Sequence, residues 1–503
     1  AGVLLPVTSL PSKYGIGCFD QAAYDFVDWL QKAGQRYWQI LPLGATSYGS
    51  SDDSPYQAYS AFAGNPYLIS LDALVEEGVL TREECDGVSF GENPAKVDFD
   101  QLHEHRFALL RKAYERSGIS ANPDYQNFIR DNGWWLNDYA LFMALKTFFH
   151  DQPFRAWPED IRMHWGFALE HYNRELYFDI EFQKYMQFKF NQQWSRLKAY
   201  ANGKHIQIVG DIPIYVSPDG ADVWAHPELF QLDAHNAPTA IAGCPPDAFA
   251  EDGQAWGNPL YNWNFHRATD YAWWVSRMWY SFKLYDVVRI DHFRGFDTYW
   301  AIPADSATAK TGKWENGPGM ELFDALEQAL GQLPIIAEDL GELFPSVRKL
   351  LADSTFPGMK VLQFAFSGGD NEYLPHNHVK NGVVYPGTHD NTTITAWWES
   401  AATPKEKATA AAYLHLTGAH PTAKEVAAVK TADARTALLR AALGSVADRA
   451  IIPMYDWLGL GEEAHLNTPG KLGGNWAWRA AAGFESKTLA KTIADECSVY
   501  CRV

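Results

Sequence analysis

IQIVGD at 206–211, YDVVRID at 285–291, LPIIAED at 333–339 and GVVYPGTHD at 382–390 are four short apolar runs that each finish at or beside a carboxylate. The acids are Asp211, Asp291, the neighbours Glu338 and Asp339, and Asp390. Continuous apolar runs of this length read as strands covered on both faces, which is the pattern of a parallel sheet. A buried strand that stops at an acid carries that acid to the rim of its sheet. In a β/α barrel the rim at the strand C-termini is where chemistry takes place.

Outward from these runs, the chain opens with a candidate strand in VLLPVTSL, 3–10. DQAAYDFVDWLQKA, 20–33, has apolar residues at helical spacing and Gly34 as a stop, and RYWQILPLG, 36–44, supplies a second strand. The start is therefore β–α–β. HIQIVGDIPIYV follows about 160 residues later, after a stretch with helical patterns at 101–116, 136–149 and 181–200. Strands then return at 285–291, 334–339, 359–366 and 382–388, with helices predicted at 321–330, 343–352 and 403–416, an Ala-rich helical run at 423–445, and an eighth strand at 451–459. Eight strands alternating with helices predict an α/β protein, a (β/α)8 TIM barrel with large, mainly helical insertions between barrel strands. The expected organisation is one catalytic barrel over 1–503, a helical insertion at about 70–200, and an active-site loop and insertion at about 240–285.

The 503 residues carry 42 Lys and Arg against 61 Asp and Glu, a net charge of −19. Nucleic acid and anionic membranes need clustered cations and are disfavoured as partners. A neutral ligand, or solubility alone, fits this balance. Cys18, Cys85, Cys244, Cys497 and Cys501 show no zinc or disulfide spacing. No apolar run reaches the roughly 20 residues of a membrane span, and AGVLLPVTSL has no basic signal-peptide region. The expectation is a cytoplasmic protein. Tryptophan is abundant, with 20 residues beside 25 Tyr and 28 Phe. Aromatic faces stack on sugar rings, although most aromatics fill cores.

Carboxylates around one rim suit glycosidic-bond chemistry, where one acid attacks or stabilises and another donates a proton. In VVRIDHFRG, 287–295, Arg289 and Asp291 are two apart on a strand and face one side. The guanidinium favours an ionised Asp291, a possible nucleophile, and a structural Arg–Asp pair is the competing reading. In IIAEDLG, 335–341, only one of two adjacent acids can point inward. Glu338 is taken for chemistry as a proton donor, and Asp339 for a structural role such as a helix N-cap. YPGTHDN, 385–391, joins His389 to Asp390 on a turn. Without a G-x-S-x-G elbow, a pair that binds sugar hydroxyls fits it better than a hydrolase triad. No H-E-x-x-H or EF-hand pattern occurs, and Arg289 beside the acids disfavours a cation, so no metal is expected.

SPYQAYSAFAGNPYLI (54–69), VGDIPIYV (209–216), PPDAFAEDGQAWGNPLYNW (245–263), VVRIDHFRG, IIAEDLG, GTHDN and HLNTPG (465–470), in this order, resemble the 4-α-glucanotransferases of the amylomaltase (disproportionating enzyme) type. These form glycoside hydrolase family 77, within the α-amylase clan, and the resemblance runs nearly end to end. It implies a retaining double displacement with Asp291 as nucleophile, Glu338 as general acid/base and Asp390 as the acid that binds and distorts the sugar. Retention requires the first two carboxyl groups to lie about 5–5.5 Å apart. Asp211, Arg289, His292 and His389 are implied to line the cleavage subsite, and Tyr56, with Ser54 beside it, to stack on the non-reducing sugar. Asp247 and Trp256 resemble lid residues, and Asn467 a residue that binds the glucan on the far side. For Ser54 and Asn467, ordinary turn chemistry is the competing reading. TSYGSSDDSP, 46–55, departs from the family in length and in Asp52 and Asp53, which leaves the accessory glucan-binding role of Tyr48 open. The resemblance implies no cofactor, and substrates that are malto-oligosaccharides or other α-1,4-glucans, with glucose as an acceptor. The runner-up is an α-1,4-glucan hydrolase using the same three acids. A catalytically dead carbohydrate-binding barrel is disfavoured because all three are intact.

Overall fold

The computed structural model describes residues 1–47, 53–246, 252–341, 343–471 and 473–503. Eight parallel strands form one sheet: β1 Gly2–Leu4, β2 Tyr37–Gln39, β3 Gln207–Pro213, β4 Val287–Asp291, β5 Ile335–Ala337, β6 Gly358–Val361, β7 Gly382–Tyr385 and β8 Arg449–Pro453. Their order is β6-β7-β8-β1-β2-β3-β4-β5. The ends meet: Ala337 N–H donates to the Pro357 carbonyl at 3.0 Å, and Met359 N–H donates to Asp339 at 2.6 Å. The sheet is thus a (β/α)8 barrel, as the sequence predicts. Its interior is packed, and Tyr385 of β7 donates its hydroxyl to Gln39 of β2 at 2.8 Å, both side chains buried.

Helix α1, Gln21–Lys32, shows why the barrel's outer layer forms. Asp20 caps it by accepting from Ala22 N–H. Ala23, Phe26, Val27, Trp29 and Leu30 make a buried stripe at helical spacing. Phe26 packs edge-on against Trp38 of β2 at 5.2 Å. Gly34 then turns the chain with φ +67°, a conformation that glycine adopts without strain.

Between β2 and β3 run α2 Phe99–Ser117, α3 Pro123–Phe148 and α4 Tyr177–Gly203, with shorter helices beside them. Tyr125 and Phe128 of α3 meet Phe188 of α4 at 5.5 and 5.6 Å. The α4 helix also fixes the segment 54–69. Gln187 accepts from Gly64 N–H and donates to Gly64 C=O, both at 2.8 Å. A Cβ on Gly64 would lie 2.2 Å from the Phe190 ring, so only glycine permits this approach. The remaining barrel helices include α5 Ala272–Leu284, α6 Met320–Leu330, α7 Pro345–Ser354, α8 Thr431–Leu443 and α9 Lys487–Val499.

The structure departs from the sequence reading in several places, and the first strand, predicted over residues 3–10, ends at Leu4 before a 3-10 turn at Val7–Ser9. The run 451–459 is strand only to Pro453; Pro453 cannot extend the ladder, and Met454–Leu458 is helix. The run 359–366 is strand to Val361 and then a 3-10 turn at Leu362–Phe364. The Ala-rich run 423–445 divides into Ala423–Ala428 and α8, because Val429 is extended. An unforeseen antiparallel sheet lies above the barrel, with strands in the order Gln254–Pro259, Ala240–Cys244, Thr298–Pro303 and Lys313–Asn316. No helix among the described residues is long and apolar enough to cross a membrane.

Candidate active site

Strand register assembles one side of the site. Asp211 of β3 pairs in register with Arg289 of β4, and Ile290 with Ala337 of β5, so Asp291 and Glu338 occupy the next rung at the strand ends. The Arg289 side chain is 2% exposed and that of Asp211 is fully buried. Nη1 of Arg289 donates to both Asp211 oxygens at 2.9 and 2.7 Å, and Nη2 donates to Asp291 Oδ1 at 2.9 Å. One guanidinium therefore serves two carboxylates. Burial pushes the Asp291 pKa up, Arg289 pulls it down, and the charges of Asp211 and Asp390 push it up again, leaving it above the usual carboxylate value. The arginine that was expected to hold Asp291 ionised is shared, so its pull is divided.

Among the described residues Glu338 makes no ion pair. Its carboxylate accepts from the backbone N–H groups of His292 and Leu340, each at 2.8 Å. Burial first, and then the negative charge of Asp291, raise its pKa to about 8 against the pull of Arg289 and the two N–H groups. Of the two coupled acids, Glu338 is the one that keeps its proton. His292, left-handed at φ +56°, places its ring edge-on to Trp256 at 4.9 Å. Burial and Arg294 lower its pKa to about 3, which leaves a neutral imidazole. Trp256 stands on the antiparallel strand Gln254–Pro259, and its indole donates to Gln254 at 3.1 Å.

Asp390 reaches the same space from the turn after β7. Asn467 donates to its Oδ1 at 2.6 Å, and His389 Nε2 lies 3.3 Å from its Oδ2. Tyr56 ties the two sides together. Its hydroxyl is 2.8 Å from Asp211 Oδ2 and 2.8 Å from His389 Nε2. Tyr56 donates its one hydroxyl proton to Asp211, so its oxygen accepts from His389 Nε2–H. Burial first, then the charge of Asp211, holds the Tyr56 hydroxyl protonated. The Tyr56 ring stacks on the His389 ring, with centroids 5.3 Å apart and planes 17° apart. The hydroxyl oxygen of Ser54 accepts from Tyr56 N–H at 3.3 Å, a turn contact that presents Tyr56. Asp247, like Tyr48 and Asp52, lies outside the described residues.

Asp339 does not cap a helix. Helix α7 starts after Phe344 with no side-chain cap. The Asp339 carboxylate turns instead into the β5–β6 junction, accepts from Met359 N–H, and lies 3.7 Å from Lys360. A Cβ on Gly358 would sit 2.5 Å from an Asp339 oxygen, so glycine makes room for it. The sequence reading missed Trp476, whose ring lies 5.6 Å from Tyr56 and 6.0 Å from His389. A signal was available: HLNTPG is followed within a few residues by GGNWAW, a tryptophan on a glycine-rich turn.

A parallel barrel that gathers buried and half-buried carboxylates, one buried arginine and aromatic rings at its strand C-termini has the site architecture of a barrel enzyme. The family model described as 4-alpha-glucanotransferase, glycoside hydrolase family 77, matches residues 5–484. A 4-alpha-glucanotransferase of Clostridium butyricum is 44% identical over 99% of both chains. One of Streptococcus pneumoniae is 46% identical over 100% of this chain and 97% of its own. The solved amylomaltase from Streptococcus agalactiae, in complex with acarbose, superposes with a TM-score of 0.93 at 40% identity, covering 99% of this chain and 98% of that one. The chain belongs to the 4-alpha-glucanotransferase family.

Proposed function

We propose that this 4-α-glucanotransferase moves α-1,4-glucan segments between malto-oligosaccharides, or onto glucose, by double displacement. Asp291 attacks the anomeric carbon as the bond to the leaving O4 breaks, and Glu338 gives that oxygen its proton. An acceptor 4-hydroxyl then attacks the glucosyl–Asp291 ester, Glu338 takes the hydroxyl proton, and the Asp291 carboxylate departs. Asp390, held by Asn467, binds vicinal hydroxyls of the reacting sugar. Asp211, Arg289, His292, His389 and Tyr56 shape the cleavage subsite. Trp256, on the strand Gln254–Pro259, keeps water from the intermediate together with Asp247. The acarbose complex of the Streptococcus agalactiae relative supports an α-glucan ligand. A cytoplasmic setting, with neither nucleic acid nor membrane as partner, completes the proposal.

The observation that carries this reading is the division of labour at one rung. Asp291 has a guanidinium beside it, whereas Glu338 accepts from backbone N–H groups and has a pKa raised to about 8. Incubation with maltotriose tests it, with products separated by chain length and reducing ends counted. A ladder of longer maltodextrins with constant reducing ends is expected. Rising reducing ends without longer products would instead establish the hydrolase.

A further inference from the structure

We infer that Trp476 is a positioning residue for glucan transfer, acting through the Tyr56–His389 pair; this rests on the function proposed above. Trp476 is only 8% exposed and has φ +60°. A bulky residue in the left-handed region is an outlier that its surroundings must enforce. The enforcement is visible. Trp476 N–H donates to Leu466 C=O at 2.7 Å, and the next residue, Ala477, accepts from Val97 N–H at 2.7 Å. Arg479 N–H donates to Ala95 C=O at 2.8 Å.

The residues around Trp476 are therefore strapped at Ala477 and Arg479 to residues 95–97. Asn467 and Trp476 meet the Thr388–His389–Asp390 turn directly, and Trp478 meets it through Tyr455. Asn467 N–H donates to His389 C=O at 3.2 Å. Asn467 donates to Asp390. Trp476 lies against the rings of Tyr56 and His389. Trp478 stands edge-on to Tyr455 at 5.9 Å, and the Tyr455 hydroxyl donates to Thr388 C=O at 3.0 Å. The strained residue is the one that contacts both rings of the stacked pair.

The consequence is electrostatic as well as steric. The Tyr56 hydroxyl gives its hydrogen bond to Asp211 and takes one from His389. With Trp476 truncated, the Tyr56 ring can turn. Asp211 then loses a donor, and His389 Nε2–H is left with Asp390 as its neighbour. The change would alter the charge that Arg289 shares between Asp211 and Asp291 without removing any group that touches the reacting atoms.

A double-mutant cycle tests the inference, with maltotriose disproportionation as readout and thermal melts to verify folding. Trp476→Ala is expected to lower kcat about tenfold with little change in KM, the scale of one hydrogen bond. Trp476→Phe, which retains a ring, should recover most of the loss. If Trp476 acts through Tyr56, Trp476→Ala combined with Tyr56→Phe loses no more than the worse single variant. Losses that multiply, or a Trp476→Ala enzyme equal to wild type, would overturn the inference. Should Trp476→Ala fail to fold, Trp476→Leu completes the same cycle under the same two criteria. Wild-type enzyme that makes no longer maltodextrins would count against the proposed function, whereas multiplicative losses on an active wild type count against Trp476 alone.

Discussion

Asp211 and Asp291 stand on the neighbouring strands β3 and β4, Glu338 directly follows β5, and ladder register puts them together. Asp390 stands on a turn beyond β7 and is held by side chains from far along the chain: Asn467 directly, and Tyr56 and Trp476 by way of His389. The first side is specified by backbone pairing, which a single side-chain change cannot shift by a residue. The second is specified by contacts that one substitution can remove. Changes on the strand side should therefore delete chemistry, and changes on the turn side should detune it.

The largest effect belongs to the strand side. Glu338→Gln should lower kcat about 10²–10⁴-fold, the range of general acid–base catalysis. The pH profile should report the same residue. Glu338 must be protonated to donate to the leaving oxygen, so the wild-type rate should fall as pH rises through about 8, and Glu338→Gln should lack that limb. An unchanged alkaline limb in the variant would move the acid role elsewhere. On the turn side, Asn467→Ala removes one hydrogen bond to a carboxylate whose side chain is 39% exposed, and about a tenfold loss of kcat/KM is expected. A loss as large as that of Glu338→Gln would erase the contrast between the two sides.

The same contrast explains what could be read from the sequence. Strands leading to Asp291 and Glu338 were legible because burial, strand length and the terminal acid are all local. The helix α1 with its Gly34 stop was legible for the same reason. The central pairing of the antiparallel sheet, Ala240–Cys244 with Thr298–Pro303, was not, because it spans more than fifty residues. Trp476 was marked only by its glycine-rich setting: its contacts with Tyr56 and His389 are long-range, and neither helical nor strand periodicity marks a strained turn residue. Asp339 was half-legible. Its adjacency to Glu338 excluded it from the inward face, but its partner, Met359 N–H, belongs to the next strand.

Asp339 supplies a control, because it neighbours the acid yet faces the scaffold. Asp339→Ala would leave the Met359 amide without an acceptor in a buried junction. That should cost about 1–3 kcal/mol of stability in denaturant unfolding, with the alkaline limb of the rate profile unmoved. A shifted limb with unchanged stability would reverse the roles given to Glu338 and Asp339.

The smallest effect on rate is expected at Asp456, behind the Asp390 turn, where the sign of a pH effect can be fixed in advance. Asp456 is buried on the short helix Met454–Leu458, and its Oδ1 accepts from Ile394 N–H at 2.7 Å. Burial raises its pKa to about 7, against the pull of that N–H and of Arg435. The folded state thus holds a proton that the unfolded chain, with an ordinary carboxylate pKa near ~4, releases earlier. Stability should fall as pH rises from about 4 to about 7 and stay level above, since only in that window do the two states differ in protons bound. Asp456→Asn keeps an acceptor for Ile394 and cannot ionise, so transfer should persist. Its melting temperature relative to wild type should climb across that window and then hold constant. A difference independent of pH would mean that Asp456 is ionised throughout and paired with Arg435, so that the turn under Asp390 rests on an ion pair rather than on a neutral carboxyl.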